Sequence, residues 1–220
     1  LKWVRLLYCY PERITDELIE VIKTEEKIVK YIDMPVQHCN GEILKKMNRS
    51  GSGKTLSDLI AKLRGNIPEI VLRTTLLVGF PGETEEQFTE LAEFAHEMRF
   101  THLGCFAYSQ EEGTPAAEMP DQIDENERLR RCEIITEQQE IRVAEWAEAR
   151  VGEVYETVVE GYDKFAEMFF GRTYMHAPEI DGMVYFKSEK TGQSLSLGDF
   201  VNVKITEVID NNLLGVIESV

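Results

Sequence analysis

The stretch LRTTLLVGFPGETEE, residues 72–86, decides how this chain folds. Leu72, Leu76, Leu77 and Val78 read as a buried strand. Gly79, Phe80, Pro81 and Gly82 make a turn, and Thr84 caps a helix through Gln87, Phe88, Leu91 and Phe94. Gly79 and Gly82 permit backbone shapes that a side chain blocks, and Pro81 fixes one turn angle. A strand that ends in glycines at a helix start builds a ligand-facing rim in parallel α/β proteins. The pattern is neither the dinucleotide signature GxGxxG nor a Walker loop. Taken alone, a plain strand-to-helix turn explains the glycines equally well.

Outward from this stretch, strand and helix alternate. Residues 4–9, 28–34, 70–78 and 102–108 read as strands. Helices follow Thr15, Gly41, Thr55 and Thr84. This rhythm predicts a parallel sheet or barrel with helices outside. Gly113, Pro115 and Pro120 interrupt it, and a long charged helix is expected over 124–150. Beyond Val151 and Gly152 the texture changes. Segments 154–160, 183–186 and 200–208 read as short strands punctuated by Gly161, Gly171, Gly182, Gly192 and Gly198. The expected architecture is α/β plus small all-β, with residues 1–150 carrying the parallel sheet or barrel and its linking helix. Residues 151–220 form a five-stranded, OB-like β-barrel.

Composition narrows the function. A hydrophobic fraction of 43% suffices for a packed core. No run of about 18 apolar residues suggests a membrane span. The net charge of -16 weighs against general nucleic-acid binding and favours a basic partner or none. Cys9, Cys39, Cys105 and Cys132 stand far apart, without a CxxC pair, which fits a reducing cytoplasm. Leu1 is followed at once by strand-like residues, so the chain reads as the C-terminal part of a longer, monomeric protein.

Polar residues gather at the strand ends. Cys9, Tyr10 and Pro11 follow the first strand, and Gln37, His38, Cys39 and Asn40 follow the second. Arg73, Thr74 and Thr75 lie within the third, and Tyr108 and Ser109 end the fourth. In a parallel barrel such residues face one site. Gln37 and Asn40 can both donate and accept, and Arg73 can hold a carboxylate in a fork, which suits an amino-acid-like or nucleoside-like ligand. Equally, Gln37 can bond backbone, and Arg73 can pair with a helix carboxylate such as Glu83. Cys39, Cys105 and Cys132 read as small apolar core residues, and His96 as a surface residue. The reaction does not follow from these residues alone.

The segments RLLYCYP, DMPVQHCNGEILKKMNR, LRTTLLVGFPGETEEQF and GCFAYSQEEGTPAAEMPDQI, in this order, resemble the radical S-adenosylmethionine methylthiotransferases. Pro35, Val36, Gln37, His38, Cys39, Asn40 and Gly41 are similar to the branch that modifies a ribosomal protein; the tRNA-modifying branch usually reads Gln-Ser-Gly there. The tail, with Glu160, Gly161, Tyr162 and Asp163 and later Ala177, Pro178, Glu179, Ile180, Asp181 and Gly182, resembles the TRAM domain of the first branch. The resemblance implies a radical-SAM partial barrel, S-adenosylmethionine, and two 4Fe-4S clusters in the full-length protein. It also implies methylthiolation of an aspartate β-carbon on small-subunit ribosomal protein twelve. An inert C–H bond needs a radical, which the cofactor supplies.

The resemblance implies that Gln37 and Arg73 approach the ribose or the methionine end of S-adenosylmethionine. Val78 and Gly79, and Phe106, Ala107 and Tyr108, would border adenine. The chain departs from the family in lacking a CxxxCxxC, so no metal ligand is assigned and the fragment is expected to be inactive alone. It departs also from the superfamily's GxIxGxxE. Thr75 stands at the first Gly, and Gly82 stands at the Glu with Glu83 one later. Over 151–220 there are 5 cations against 12 anions. An acidic barrel suits a basic ribosomal protein better than tRNA, with Phe165, Phe169, Phe170 and Tyr174 serving equally well as exposed contact points or as core packing. The alternatives are a tRNA-modifying enzyme and a non-catalytic binding module.

Overall fold

The computed structural model describes residues 1–188 and 195–218. Gly192, Glu189 and Lys190, which entered the sequence reading, lie outside the described residues. The chain forms two compact units, Leu1–Ile141 and Arg142–Val220.

In the first unit, β1 (Val4–Leu6), β2 (Ile28–Asp33), β3 (Val71–Val78) and β4 (His102–Ala107) form one sheet in the order β1-β2-β3-β4. Every pairing is parallel. Between the strands run α1 (Asp16–Thr24), α2 (Gly41–Lys46), α3 (Gly53–Asn66) and α4 (Glu85–Met98). Strand β3 shows why the sheet has two different faces. Leu72, Leu76 and Val78 are buried against Ile19 and Ile22 of α1, Leu56, Ile60 and Leu63 of α3, and Phe88, Leu91 and Phe94 of α4. The intervening Arg73, Thr75 and Leu77 fall on the opposite face by the period-two rule. Register places Asp33 beside Arg73, Gly104 beside Thr75 and Phe106 beside Leu77 on that face.

Helix starts follow capping chemistry. Thr15 accepts from the Leu18 N–H. Thr84 and Gln87 form a reciprocal capping box, which satisfies two donors of the first turn. The helix expected from Thr55 starts two residues earlier. Ser52 is its cap, and Thr55 is the third-position partner that reaches back to the Ser52 N–H at 2.8 Å. The first strand is shorter than the expected 4–9. Tyr8 adopts a positive φ of 58°, and the Cys9 N–H donates to the Asp33 carbonyl at 2.8 Å beyond the strand.

Helix α5 (Glu125–Glu148) begins where the Asp124 carboxylate accepts from the Asn126 N–H, and the boundary between the two units falls at residues 141 and 142 of the chain. In the second unit, β5 (Val154–Asp163), β6 (Met168–Arg172), β7 (Val184–Lys187), β8 (Phe200–Ile209) and β9 (Asn212–Ile217) close a barrel in the order β5-β6-β7-β9-β8. Strands β6 and β9 were not expected from sequence. The core is built from Val159, Val184, Phe186, Val203, Ile205 and Leu213. Closure brings backbones close together. A Cβ on Gly171 would stand 1.9 Å from the Val158 carbonyl oxygen, and one on Gly215 2.3 Å from that of Lys204. Only glycine fits at these crossings. Phe165 is fully exposed, whereas Phe169, Phe170 and Tyr174 are half-buried and less open than expected.

Candidate functional site

The C-terminal ends of β2, β3 and β4 collect the polar residues. After β2 the chain bends back onto β3. The Gln37 N–H donates to the Thr75 carbonyl at 2.9 Å, and its own carbonyl accepts from the Leu77 N–H at 2.8 Å. Gln37 makes this bridge at φ 68°, a left-handed shape that a non-glycine residue adopts at a cost of roughly 1–3 kcal/mol. The half-buried Gln37 is thereby held at the strand end.

Arg73 stands on the face opposite the main core of helices α1, α3 and α4. Its Nη1 donates to Asp33 Oδ1 at 3.0 Å, and Thr75 Oγ1 lies at 3.5 Å. Asp33 is 1% exposed, and its second oxygen accepts from the Tyr8 N–H at 3.2 Å. The carboxylate partner of Arg73 is therefore Asp33. Glu83, the alternative left open by the sequence, binds Arg131 of α5 at 2.9 Å instead.

Glu83 organises the turn that follows β3. One oxygen accepts from the Gly79 and Phe80 N–H groups at 2.7 and 3.2 Å, and the other accepts from Arg131. Burial raises its pKa, while Arg131 and the two amides pull it back toward the ionised form. His38 is also wholly buried. Its Nδ1 accepts from the Asn40 N–H at 2.9 Å, so the neutral ring carries its proton on Nε2, which lies 4.0 Å from Glu83. Desolvation, followed by the charge of Arg131, holds the His38 pKa down to about 4.

That shift has a stability consequence. Between about pH 6.5 and 4 the unfolded chain takes up a proton on His38 that the folded chain refuses. Stability therefore falls as pH drops through this window, by about 3 kcal/mol in total. Glu83, with its raised pKa, acts in the opposite sense above its own ordinary value. The comparison of wild type with His38→Gln isolates the histidine. In urea unfolding, the variant's stability relative to wild type should rise steadily from pH 7 to pH 4.5. A difference independent of pH would contradict this.

At the end of β4 the residues divide. Phe106 is 59% exposed on the Arg73 face. Tyr108 packs with Ile43 and Phe80, edge-on to Phe80 at 5.4 Å, and its buried hydroxyl has no hydrogen-bond partner among the described residues. Ala107, Tyr108, Ser109 and Gln110 line a cleft of about 350 Å³ with Glu125, Arg128 and Leu129. Arg128 Nη1 donates to the Tyr108 carbonyl. Val78 is wholly buried in the helix-side core, and its carbonyl accepts from the Tyr108 N–H. The Gly79 N–H is taken by Glu83, and a Cβ there would meet Arg128 Cγ at 2.3 Å. Gln37 bridges to the end of β3 and Phe106 lies near the end of β4, whereas Arg73 stands nearer the start of β3, beside the end of β2; its guanidinium and the Phe106 ring both flank Gly104, and Val78 and Gly79 border the rim through backbone position.

This donor set fits an amino-acid nucleoside. The Arg73 fork suits a carboxylate, the Gln37 amide suits hydroxyl or ammonium groups, and the Phe106 ring suits a base. The cysteines suit a metal poorly. Burial, then Glu90, pushes the Cys39 thiol up to about 12, and burial raises Cys105 further. Cys132 Sγ donates to the Cys105 carbonyl. Among the described residues, no three His, Cys, Asp or Glu side chains group to hold a metal ion. No described helix is long and apolar enough to cross a membrane.

The sequence reading missed Asp33 and Arg131. Each acts through a contact with a residue some 40 or more positions away, which spacing does not reveal.

A parallel sheet with a ligand-facing rim, followed by a closed five-stranded barrel, defines a class. Residues 4–95 match the Radical SAM superfamily and residues 151–217 match the TRAM domain. The first match falls on the region of the parallel sheet and the second on the closed barrel. It is 45% identical, over 99% of its length, to the ribosomal protein uS12 methylthiotransferase RimO of Clostridium botulinum (strain Langeland). It is 46% identical over 98% to RimO of Thermoanaerobacter sp. (strain X514). The chain spans about half the length, 48%, of these curated relatives. Among solved structures, it is similar to coproporphyrinogen III oxidase (HemN) from Escherichia coli, a radical SAM enzyme, with TM-score 0.50 and 18% identity. That match covers 64% of this chain and 32% of the other, and bears on fold alone.

Proposed function

We propose that this chain is the cofactor-binding and target-docking part of a cytoplasmic radical S-adenosylmethionine methylthiotransferase. Its full-length form places a methylthio group on the β-carbon of an aspartate of ribosomal protein uS12. The observation that carries this reading is the 45% identity to RimO across nearly the whole chain. Bound S-adenosylmethionine supplies the radical chemistry and the methyl group. The iron–sulfur clusters belong to sequence outside these residues.

The chain's own residues bind and orient. Arg73, steadied by Asp33, takes the carboxylate of the methionine end, and Gln37 takes the ribose or the amino group. Phe106 stacks on adenine, beside Ala107 and the backbone of Tyr108. Glu83 keeps the Val78 and Gly79 corner in place by holding the two amides that follow β3. The TRAM barrel, acidic over 151–220, attracts and docks a basic ribosomal protein.

The test uses the full-length protein with its clusters reconstituted, recombinant uS12 and S-adenosylmethionine, read by peptide mass spectrometry. One aspartate of uS12 should gain a methylthio group in place of hydrogen. Truncation before Val151 should abolish both the product and the capture of uS12. Modification of tRNA instead of uS12 would favour the tRNA-modifying reading. Undiminished capture by the truncated protein would remove the acidic barrel from docking.

A further inference from the structure

Glycine is a poor strand residue, so each one inside a strand calls for a reason. The described strands hold four: Gly104, Gly161, Gly171 and Gly215. Three are forced by the barrel. A Cβ on Gly161 would meet the Phe170 ring at 2.4 Å, and one on Gly171 or Gly215 would meet a backbone carbonyl oxygen at 1.9 or 2.3 Å. Gly104 of β4 is different. Its φ lies outside the left-handed region, so its backbone suits any residue. The register of β4 against β3 runs through it without a bulge. A Cβ there would lie 3.7 Å from Phe106 Cε2 and 3.8 Å from Arg73 Nη2, both ordinary contact distances. The fold of the described residues thus gives position 104 no reason to be glycine.

Leu103 and Cys105 pack on the helix-side core, so Gly104 and Phe106 share the opposite face with Arg73. Arg73 turns Nη1 to Asp33 at 3.0 Å and sets Nη2 beside Gly104. The missing side chain therefore leaves a notch with a guanidinium on one wall and an aromatic ring on the other. Gly104 is half-buried, and β4 ends its sheet, so a side chain from another molecule can enter from the flank. A strand glycine kept where the chain itself would accept alanine marks a place where a ligand comes close to the backbone.

The identity of that ligand rests on the proposed function, in which Arg73 takes the methionine end of S-adenosylmethionine and Phe106 takes adenine. A cofactor held in this way bridges the notch. Both walls rise from the strands as side chains, so a cofactor resting on them leaves the floor to the target. The target has to bring the β-carbon of one side chain to the cofactor, and reacting atoms must come within about 3–3.5 Å of each other. A methyl group on the floor would take that room. We propose that Gly104 is a specificity-determining residue, and that the notch above it admits the aspartate side chain of the target beside the cofactor. It acts through the bulk it lacks, and Arg73 and Phe106 set the width of the opening.

The test uses the full-length protein with its clusters reconstituted and compares wild type with Gly104→Ala and Gly104→Ser. Neither variant should melt below wild type, because a strand glycine with space for a side chain gains from one. In calorimetric titration, the affinity for S-adenosylmethionine should change by less than about twofold. Methylthiolation of uS12, followed by mass spectrometry, should lose about tenfold or more in kcat/KM in both variants. Serine adds similar bulk with a hydroxyl, so similar losses in the two report volume. An unaltered kcat/KM in Gly104→Ala would overturn the proposal. A fall in cofactor affinity as steep as the fall in turnover would overturn it as well, by putting the cofactor on the floor of the notch. A clearly lower melting temperature in Gly104→Ala would do the same, by showing that the fold itself needs this glycine. A wild type that leaves uS12 unmodified would instead overturn the proposed function, and this inference with it.

Discussion

Replacing Glu83 by alanine should lower the melting temperature of the sheet-bearing unit by roughly 10 °C, the largest single-residue stability loss at the rim. Glu83 is 4% exposed and serves three donors: Arg131 and the amides of Gly79 and Phe80. Its removal leaves a buried guanidinium with less compensation and two amides without an acceptor. Breaking such a pair from one side costs about 3–5 kcal/mol. Arg131 keeps contacts to Glu127 at 2.7 Å and Glu85 at 3.2 Å, which favours the lower end of that range. Glu83→Gln retains a carbonyl for the amides and should lose less. Calorimetric melting of the three proteins decides the matter. A shift under about 2 °C for the alanine variant would show that Glu83 does not hold the turn.

The same geometry explains what the sequence disclosed and what it withheld. The turn after β3 was legible because its signals are local: glycines at 79 and 82, φ 72° and 73° in the structure, and a capping threonine with a glutamine three residues on. The βα alternation was legible for the same reason, through the period of buried residues in β3 and α4. Strand β6 was hidden because Phe169, Phe170 and Gly171 read as exposed aromatics near a glycine. Its apolar residues point alternately into the barrel and onto its outer face. Strand β9 follows Asp210 and Asn211, both at positive φ, so a tight turn masked its start.

The site was half legible. Gln37, Arg73 and Phe106 were marked by residue type and resemblance; Arg73 and Phe106 share one face of the sheet, and Gln37 bridges to the end of β3. The carboxylate that steadies Arg73 was not marked, because Asp33 looked like one more residue at the end of an apolar strand. Only the parallel register of β2 with β3 sets it opposite Arg73. The left-handed turn at Gln37 was invisible as well. A glutamine carries no signature for positive φ, and the shape is imposed by the two backbone bonds to Thr75 and Leu77.

Arg73 carries the cofactor reading. Its guanidinium is 12% exposed and already bonded to Asp33, so an incoming carboxylate shares the fork rather than replacing Asp33. Arg73→Ala also leaves Asp33 buried without this partner, so Arg73→Lys is the companion variant: charge is kept and the fork is lost. The deciding measurement is calorimetric titration of S-adenosylmethionine into full-length protein, wild type against both variants. Affinity should fall about tenfold or more in Arg73→Ala and by less in Arg73→Lys. An unaltered affinity in a folded Arg73→Ala protein would place the cofactor elsewhere and contradict the site built here on the ends of β2, β3 and β4.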